Sequence, residues 1–367
     1  MEGLVMKRLF GGIYKGRRVL ITGHTGFKGS WLALWLKELG ADVYGASLRP
    51  PTSPSHFDLL DLDIESKIVD IRDYAKLLSA FKKFKPEIVF HLAAQSTVRY
   101  SYEHPVETYE TNVMGTLNIL EAARKVGTVK AILVITSDKC YENKEVQWSY
   151  SELDPMGGHD PYSSSKGCTE LLASSYRNSY FNLKDFPTKH NTLLATARAG
   201  NVIGGGDWGR DRLIPDIVKA TVKKEKVIIR YPHAIRPWQH VLDALNGYLM
   251  LGQKLLEGNA AFAQAWNFGQ ESEGSLTVLE VLKCMKKFWP ELNYDIPTND
   301  THPHEAHFLM LDCAKAKTEL GWRTYLTATD TFKLATEWYK QYYTSKSILS
   351  KKQIKSFTDL YCKPKEK

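Results

Sequence analysis

The residues Arg18-Val19-Leu20-Ile21-Thr22 form a short apolar, β-branched run that breaks into Gly23-His24-Thr25-Gly26-Phe27-Lys28-Gly29, and an apolar-periodic stretch from Ser30 to Leu39 follows. This succession of strand, glycine turn and helix constrains the fold more than any other part of the chain. Glycines permit a tight turn and let backbone N–H groups approach an anion at the helix N-terminus, where the helix dipole favours negative charge. The spacing is G-x-x-G-x-x-G, and its place between strand and helix points to dinucleotide binding.

The alternation continues. Asp42 to Ala46, Lys67 to Ile71, Ile88 to Leu92, Ala131 to Thr136 and Thr192 to Ala197 read as strands, with helices over Tyr74 to Phe84, Thr111 to Val126 and Tyr162 to Arg177. Repeated β-α units with continuous apolar strands predict an α/β fold, a doubly wound parallel (Rossmann-like) sheet with helices on both faces. After Arg198 the character shifts to loops such as Gly204-Gly205-Gly206-Asp207-Trp208 and Arg236-Pro237-Trp238, among helices at Ile217 to Lys223, Val278 to Phe288 and Thr329 to Tyr342. The expected division is a dinucleotide-binding domain over 15–197, to which 235–270 returns, and a smaller substrate-binding lobe from 198–234 and 271–345. Residues 346–367 read as a basic C-terminal tail.

The net charge of +8 belongs mostly to that tail, where seven lysines from Lys346 onward face Asp359 and Glu366. A solvated end explains the charge better than a nucleic-acid or membrane surface. No apolar run is long enough for a membrane helix and the first residues show no signal peptide, so a cytoplasmic protein is expected. The five cysteines are scattered without CxxC spacing, which argues against a disulfide frame and a metal site.

Acid and base groups gather in two stretches, Ser137-Asp138-Lys139 and Tyr162-Ser163-Ser164-Ser165-Lys166. Four residues apart on a helix, Tyr162 and Lys166 share a face, where an ammonium can lower the phenol's pKa and make it a usable base. A Tyr-x-x-x-Lys pair alone is also what a surface tyrosine above a solvated lysine would give.

Gly23-x-x-Gly26-x-x-Gly29, His91-Leu92-Ala93-Ala94, the hydroxyl at Ser137 and Tyr162-x-x-x-Lys166, in this order and spacing, resemble the extended short-chain dehydrogenase/reductase superfamily. Within it, the stretches around Gly23, Ser137-Asp138-Lys139-Cys140-Tyr141, Asp154 to Tyr162, Arg198 to Trp208 and Arg236-Pro237-Trp238-Gln239-His240 are similar to the CDP-glucose branch of the nucleotide-sugar 4,6-dehydratases. The resemblance implies a lyase in which Tyr162 takes the proton of the sugar 4-hydroxyl, Ser137 hydrogen-bonds the same oxygen and Lys166 holds the nicotinamide ribose. Asp138 would be the acid for the departing 6-hydroxyl and Lys139 the base at carbon 5, where most relatives carry Asp-Glu. A lysine with a pKa of about 10.4 is protonated at neutral pH, so Lys139 needs desolvation beneath the sugar while Asp138 holds a proton. The rival is an Asp138/Lys139 surface pair that only orients substrate.

The same resemblance implies cofactor contacts at Gly23, Gly26, Phe27, Gly29, Arg49, Asp70, Ile71, Leu92, Ala93, Tyr162 and Lys166, and substrate contacts at Gln95, Asn201, Arg236, His302 and Glu305. NAD is the expected cofactor. Arg49 stands where an acidic residue is usual and would suit a 2′-phosphate, which keeps NADP as the alternative. Asp70 could equally cap the helix that starts at Tyr74. His91 and Trp208 are read as packing. The expected partner is a nucleotide sugar, in a homodimer or homotetramer assembled through the helices Thr111 to Val126 and Tyr162 to Arg177. Rivals are a GDP-mannose 4,6-dehydratase-like enzyme, a nucleotide-sugar epimerase, which needs no acid and base at carbons 5 and 6, and a non-catalytic NAD(P)-sensing protein.

Overall fold

The computed structural model describes residues 6, 8–144, 148–229, 231–270, 275–296 and 309–362. Seven strands, β1 (Arg18–Thr22), β2 (Asp42–Ser47), β3 (Glu65–Ile68), β4 (Ile88–His91), β5 (Ala131–Ile135), β6 (Leu193–Arg198) and β7 (Ala265–Asn267), form one sheet. All pairings are parallel, in the order β7-β6-β5-β4-β1-β2-β3. Winding reverses between β1 and β4, which opens a crevice at their carboxyl ends.

Strand alternation sends side chains to two cores. Val19, Ile21, Ile88 and Phe90 pack with α1 (Phe27–Glu38) and later with α6 (Val241–Leu256), while Leu20, Val89, Ile132 and Val134 pack with α2 (Tyr74–Phe84), α3 (Gly115–Val126) and α4 (Pro161–Asn178). β4 and β5 are buried along their whole length, as a sheet covered on both faces requires. The edge strand β7 comes from late in the chain and pairs with β6 from Ala265 against Thr196 to Asn267 against Arg198. The other long helices are α5 (Leu213–Lys223), α7 (Val278–Phe288), α8 (Ala328–Ser345) and α9 (Ser350–Tyr361), with short ones at His56–Leu60, Val98–Glu103 and Pro105–Tyr109.

Two expected elements differ from the structure. The third strand occupies Glu65–Ile68 rather than Lys67 to Ile71, and all four of its residues are exposed at the sheet edge. Val69 and Ile71, the apolar part of the run, are buried just beyond it, so the pattern marks where the chain dives into the core rather than where it pairs. The helix expected from Ile217 begins a turn earlier, at Leu213, while the C-terminal segment carries the helix α9, which buries Ile354 and Phe357. Phe357 meets Trp35 of α1 edge-on with ring centroids 5.6 Å apart. The Ser350 hydroxyl lies 2.8 Å from His56 Nε2 and accepts from Trp338 Nε1 at 2.9 Å.

Among the described residues no helix is long and apolar enough to cross a membrane, no cluster of His, Cys, Asp or Glu could hold a metal, and all five cysteines are free thiols.

Candidate active site

The glycine turn after β1 is built by close approach. Gly23 has φ +74°, and a Cβ there would stand 2.7 Å from the Ala93 nitrogen, at the end of β4. A Cβ on Gly29 would lie 2.1 Å from the Gly23 carbonyl oxygen. Gly26 is the N-cap of α1 and offers no side-chain hydrogen bond to the first turn. The free N–H groups at this helix start, in a turn no side chain can enter, fit the diphosphate of a dinucleotide. Leu92 and Ala93 flank the turn, their N–H groups donating to the Thr22 carbonyl and hydroxyl at 3.1 and 3.3 Å. His91 is buried between the hydroxyls of Thr22 (2.7 Å) and Thr116 (2.9 Å). Burial, aided by Lys166, lowers its pKa to about 3, so it is a neutral bridge between sheet and α3.

Where β5 ends, Ser137 caps a short 3₁₀ turn, Asp138–Cys140. Its hydroxyl donates to Asp138 Oδ1 at 2.8 Å and accepts from the Lys139 N–H at 3.2 Å. Asp138 is 4% exposed, and burial raises its carboxyl above the usual range against the opposing pull of Lys139, the Ser137 hydrogen bond and Arg236. Its other oxygen rests where Gly200 has no side chain, since a Cβ at Gly200 would be 2.5 Å from Asp138 Oδ2. Lys139 next to it is exposed. The desolvation expected of Lys139 is not provided by the fold, which leaves the side chain open to water.

Tyr162 and Lys166 sit in the first turns of α4. Asp160 caps that helix, accepting from the Ser163 N–H at 3.0 Å, and Pro161 takes the first helical position, where no N–H is needed. Both functional side chains are buried. The Tyr162 phenol is raised to about 12, chiefly by burial, while the Ser137 hydroxyl beside it and the Arg212 guanidinium favour its ionised form. Lys166 lies one turn further along α4 and is held by the backbone at the end of β5. Its ammonium donates to the Ile135 carbonyl at 3.3 Å, and burial lowers it to about 8. Behind it, Glu170 and Arg198 form an ion pair at 2.8 Å with 2% and 4% side-chain exposure, and Thr136, Thr196 and Tyr141 complete the network.

Two cations that sequence reasoning did not single out join this cluster. Arg212, just before α5, pairs with Asp207 at 2.7 Å and acts electrostatically on Tyr162 and Lys28. Lys28, in the first turn of α1, is lowered to about 8 by burial and then by Lys166 and Arg212. Neither is visible in any periodicity, because the neighbours come from distant parts of the chain.

The other predicted residues divide. Arg236 lies on a short strand, Ile235–Pro237, and its charge reaches Asp138. Asn201 follows Gly200 and holds Gln239 N–H through its carbonyl at 3.2 Å. Phe27 starts α1 with its ring against Gly204. Gln95 is turned inward, donating to Thr108 at 2.9 Å and accepting from the Thr97 N–H, so its amide is already engaged. Arg49 is exposed just past β2. Asp70 does not cap α2, because Asp73 does, accepting from the Lys76 N–H. Instead Arg72 clamps both Asp70 oxygens, at 3.1 Å and 2.7 Å, and holds the carboxyl below its usual range. Ile71 packs against Gly115 of α3. Trp208 is buried, donating to the Tyr343 hydroxyl at 3.0 Å. His302 and Glu305 lie outside the described residues.

A doubly wound sheet with a phosphate-ready glycine turn and a Ser, Tyr and Lys at the strand ends defines a nucleotide-dependent enzyme of the short-chain dehydrogenase/reductase type. The model of the GDP-mannose 4,6 dehydratase family matches residues 20–334, and the chain belongs to that family. It is 51% identical over 348 residues to a CDP-glucose 4,6-dehydratase of Salmonella typhimurium, covering 94% of this chain and 97% of the relative. Among solved structures, a dTDP-glucose 4,6-dehydratase from Streptomyces venezuelae with NAD bound matches with a TM-score of 0.72 at 24% identity, over 88% of this chain and 97% of that one. A UDP-glucose 4-epimerase from Thermus thermophilus, in complex with NAD, matches with a TM-score of 0.74 at 23% identity, over 88% and 98%. At that distance these two speak to the fold.

Proposed function

We propose that this protein is a CDP-glucose 4,6-dehydratase that forms a CDP-4-keto-6-deoxy sugar and water. The observation that carries the reading is the buried Asp138, its carboxyl raised by burial, beside an exposed Lys139, in a turn that meets Tyr162. An epimerase has no use for that pair. The likeness to the Salmonella enzyme supports CDP-glucose as the substrate.

The glycine turn at Gly23, Gly26 and Gly29, with Phe27, Leu92, Ala93, Asp70 and Ile71 around it, is where NAD would be held. NAD supplies a hydride acceptor that gives the hydride back later in the same cycle. Tyr162 accepts the proton of the 4-hydroxyl while Ser137 holds that oxygen, and Lys166 orients the ribose. The resulting 4-ketone acidifies the hydrogen on carbon 5. Asp138 then gives its proton to the departing 6-hydroxyl, which leaves as water, as Lys139 accepts the proton from carbon 5. A neutral pair becomes an ion pair with no net change of charge, and a sugar covering Lys139 favours the neutral start. Arg236 faces the substrate diphosphate, with Asn201 at the sugar and His302 and Glu305 as further contacts of the lobe built from 198–234 and 271–345. The protein works as a cytoplasmic homodimer or homotetramer joined through the outer faces of α3 and α4.

The test is incubation with CDP-glucose, dTDP-glucose, UDP-glucose and GDP-mannose, with and without NAD, read by the alkaline absorbance of a 4-keto sugar. Absence of turnover of CDP-glucose under every condition sinks the proposal.

A further inference from the structure

Lys28 is the second residue of α1, and its side chain enters the active-site cluster. The charged groups that face it are Lys166 from α4, Arg212 from the approach to α5 and Asp138 from the turn after β5. The ring of Tyr248 on α6 lies 5.9 Å from its ammonium, and the Tyr248 hydroxyl is buried with no hydrogen-bond partner among the described residues. Three cations thus confront one carboxyl, and burial keeps that carboxyl disposed to hold a proton. The other two cations are engaged, Arg212 by Asp207 at 2.7 Å and Lys166 by the Ile135 carbonyl at 3.3 Å. Lys28 makes no ion pair among the described residues. Asp138 and the Tyr248 ring offset the two cationic neighbours in part, and an anion brought from outside would stabilise this partly buried ammonium further.

We propose that the Lys28 ammonium is a diphosphate ligand of this site, a side-chain contact added to the backbone N–H groups of the same helix turn. The chemistry fits the diphosphate of the dinucleotide and that of the nucleotide sugar alike. The inference rests on the proposed function, in which both bind here. Depression of Lys28 to about 8 adds a consequence: its share of the binding fades as pH rises above that value toward the higher pKa that a bound anion imposes.

Titrations of wild type, Lys28→Met and Lys28→Arg with NAD, CDP, AMP and CMP, followed by calorimetry at pH 7 and 9.5, test this. Lys28→Met is expected to weaken NAD or CDP by about tenfold or more, as loss of a charge-assisted contact does, and AMP and CMP by less than about twofold. A loss confined to NAD assigns the contact to the cofactor, and one confined to CDP assigns it to the substrate. Lys28→Arg is expected to bind as wild type at pH 7 and to lose less affinity at pH 9.5. Since Lys166 titrates in both proteins, that difference isolates Lys28, and it decides the matter even where Lys28→Met does not fold. Unchanged NAD and CDP affinity in Lys28→Met, an equal loss for AMP and CMP, or identical pH dependence in wild type and Lys28→Arg overturns the inference. Wild type that binds neither NAD nor CDP overturns the proposed function instead.

Discussion

The start of α4 and the turn after β5 meet at the active site, yet they are finished to different degrees. On α4, Tyr162 and Lys166 are both buried, the helix is capped by Asp160, and a buried Glu170–Arg198 pair stands behind them. In the turn, Asp138 is buried but Lys139 is exposed. In the proposed mechanism the hydride half is therefore assembled by the fold, and the elimination half would be completed by what binds. The preformed half carries its own cost: without ligand the phenol sits at about 12, too weak an acid to be ionised at neutral pH. The arrival of positive charge and of a hydrogen-bonding hydroxyl is what would bring it down.

Breaking the preformed half should have the largest effect. Tyr162→Phe keeps the ring and removes the base, so 4-keto sugar formation is expected to fall by about 10³-fold or more with the fold intact by circular dichroism. Lys139→Met breaks the other half, with a loss of about 10² to 10³-fold in turnover and in solvent deuterium entering carbon 5. A Lys139→Met enzyme that exchanges at the wild-type rate would remove Lys139 as the base and leave Tyr162 untouched. Gly200→Ala intrudes on Asp138 Oδ2, so a slowing of about tenfold and a destabilisation of about 1–3 kcal/mol by urea unfolding are expected. The mildest probe is pH. Lys166 is charged below about 8 and loses its proton above it, so kcat/KM for CDP-glucose should decline as pH rises through that value, with a slope no steeper than tenfold per unit for each group titrating. A flat profile from pH 7 to 9.5 would mean that the bound state, or another contact, keeps Lys166 charged.

How legible this was in the sequence depended on whether the signal was local. α2 and α7 were read to the residue because their ends are local chemistry: Asp73 caps one, and Thr277 with Glu280 forms a capping box at the other. The edge strand at Glu65–Ile68 was misplaced because its residues are exposed and only its hydrogen bonds to β2 define it. At the site, the Ser137 hydroxyl lies beside the Tyr162 phenol, and Lys166 is buried one turn along α4. Lys28, Arg212 and Gly200 escaped notice, since their importance lies in what meets them from elsewhere in the chain: a shared field for the two cations and a missing Cβ for the glycine. Exposure is a property of packing too, which is why the sequence could pose the question of Lys139's desolvation and not place it in solvent.

The helix α9 has a consequence for how the protein behaves in solution. Its inner face carries Ile354 and Phe357 into the core, while Lys351, Lys352 and Lys355 occupy positions open to water. The isoelectric point of about 9.0 and the docking of the helix are thus written on opposite sides of the same two turns. Exchanging those lysines for glutamates would remove most of the net charge of +8, and with it ion-exchange retention and colloidal repulsion, and would cost α9 the Lys351–Glu38 ion pair at 3.3 Å while leaving the aromatic seam against α1.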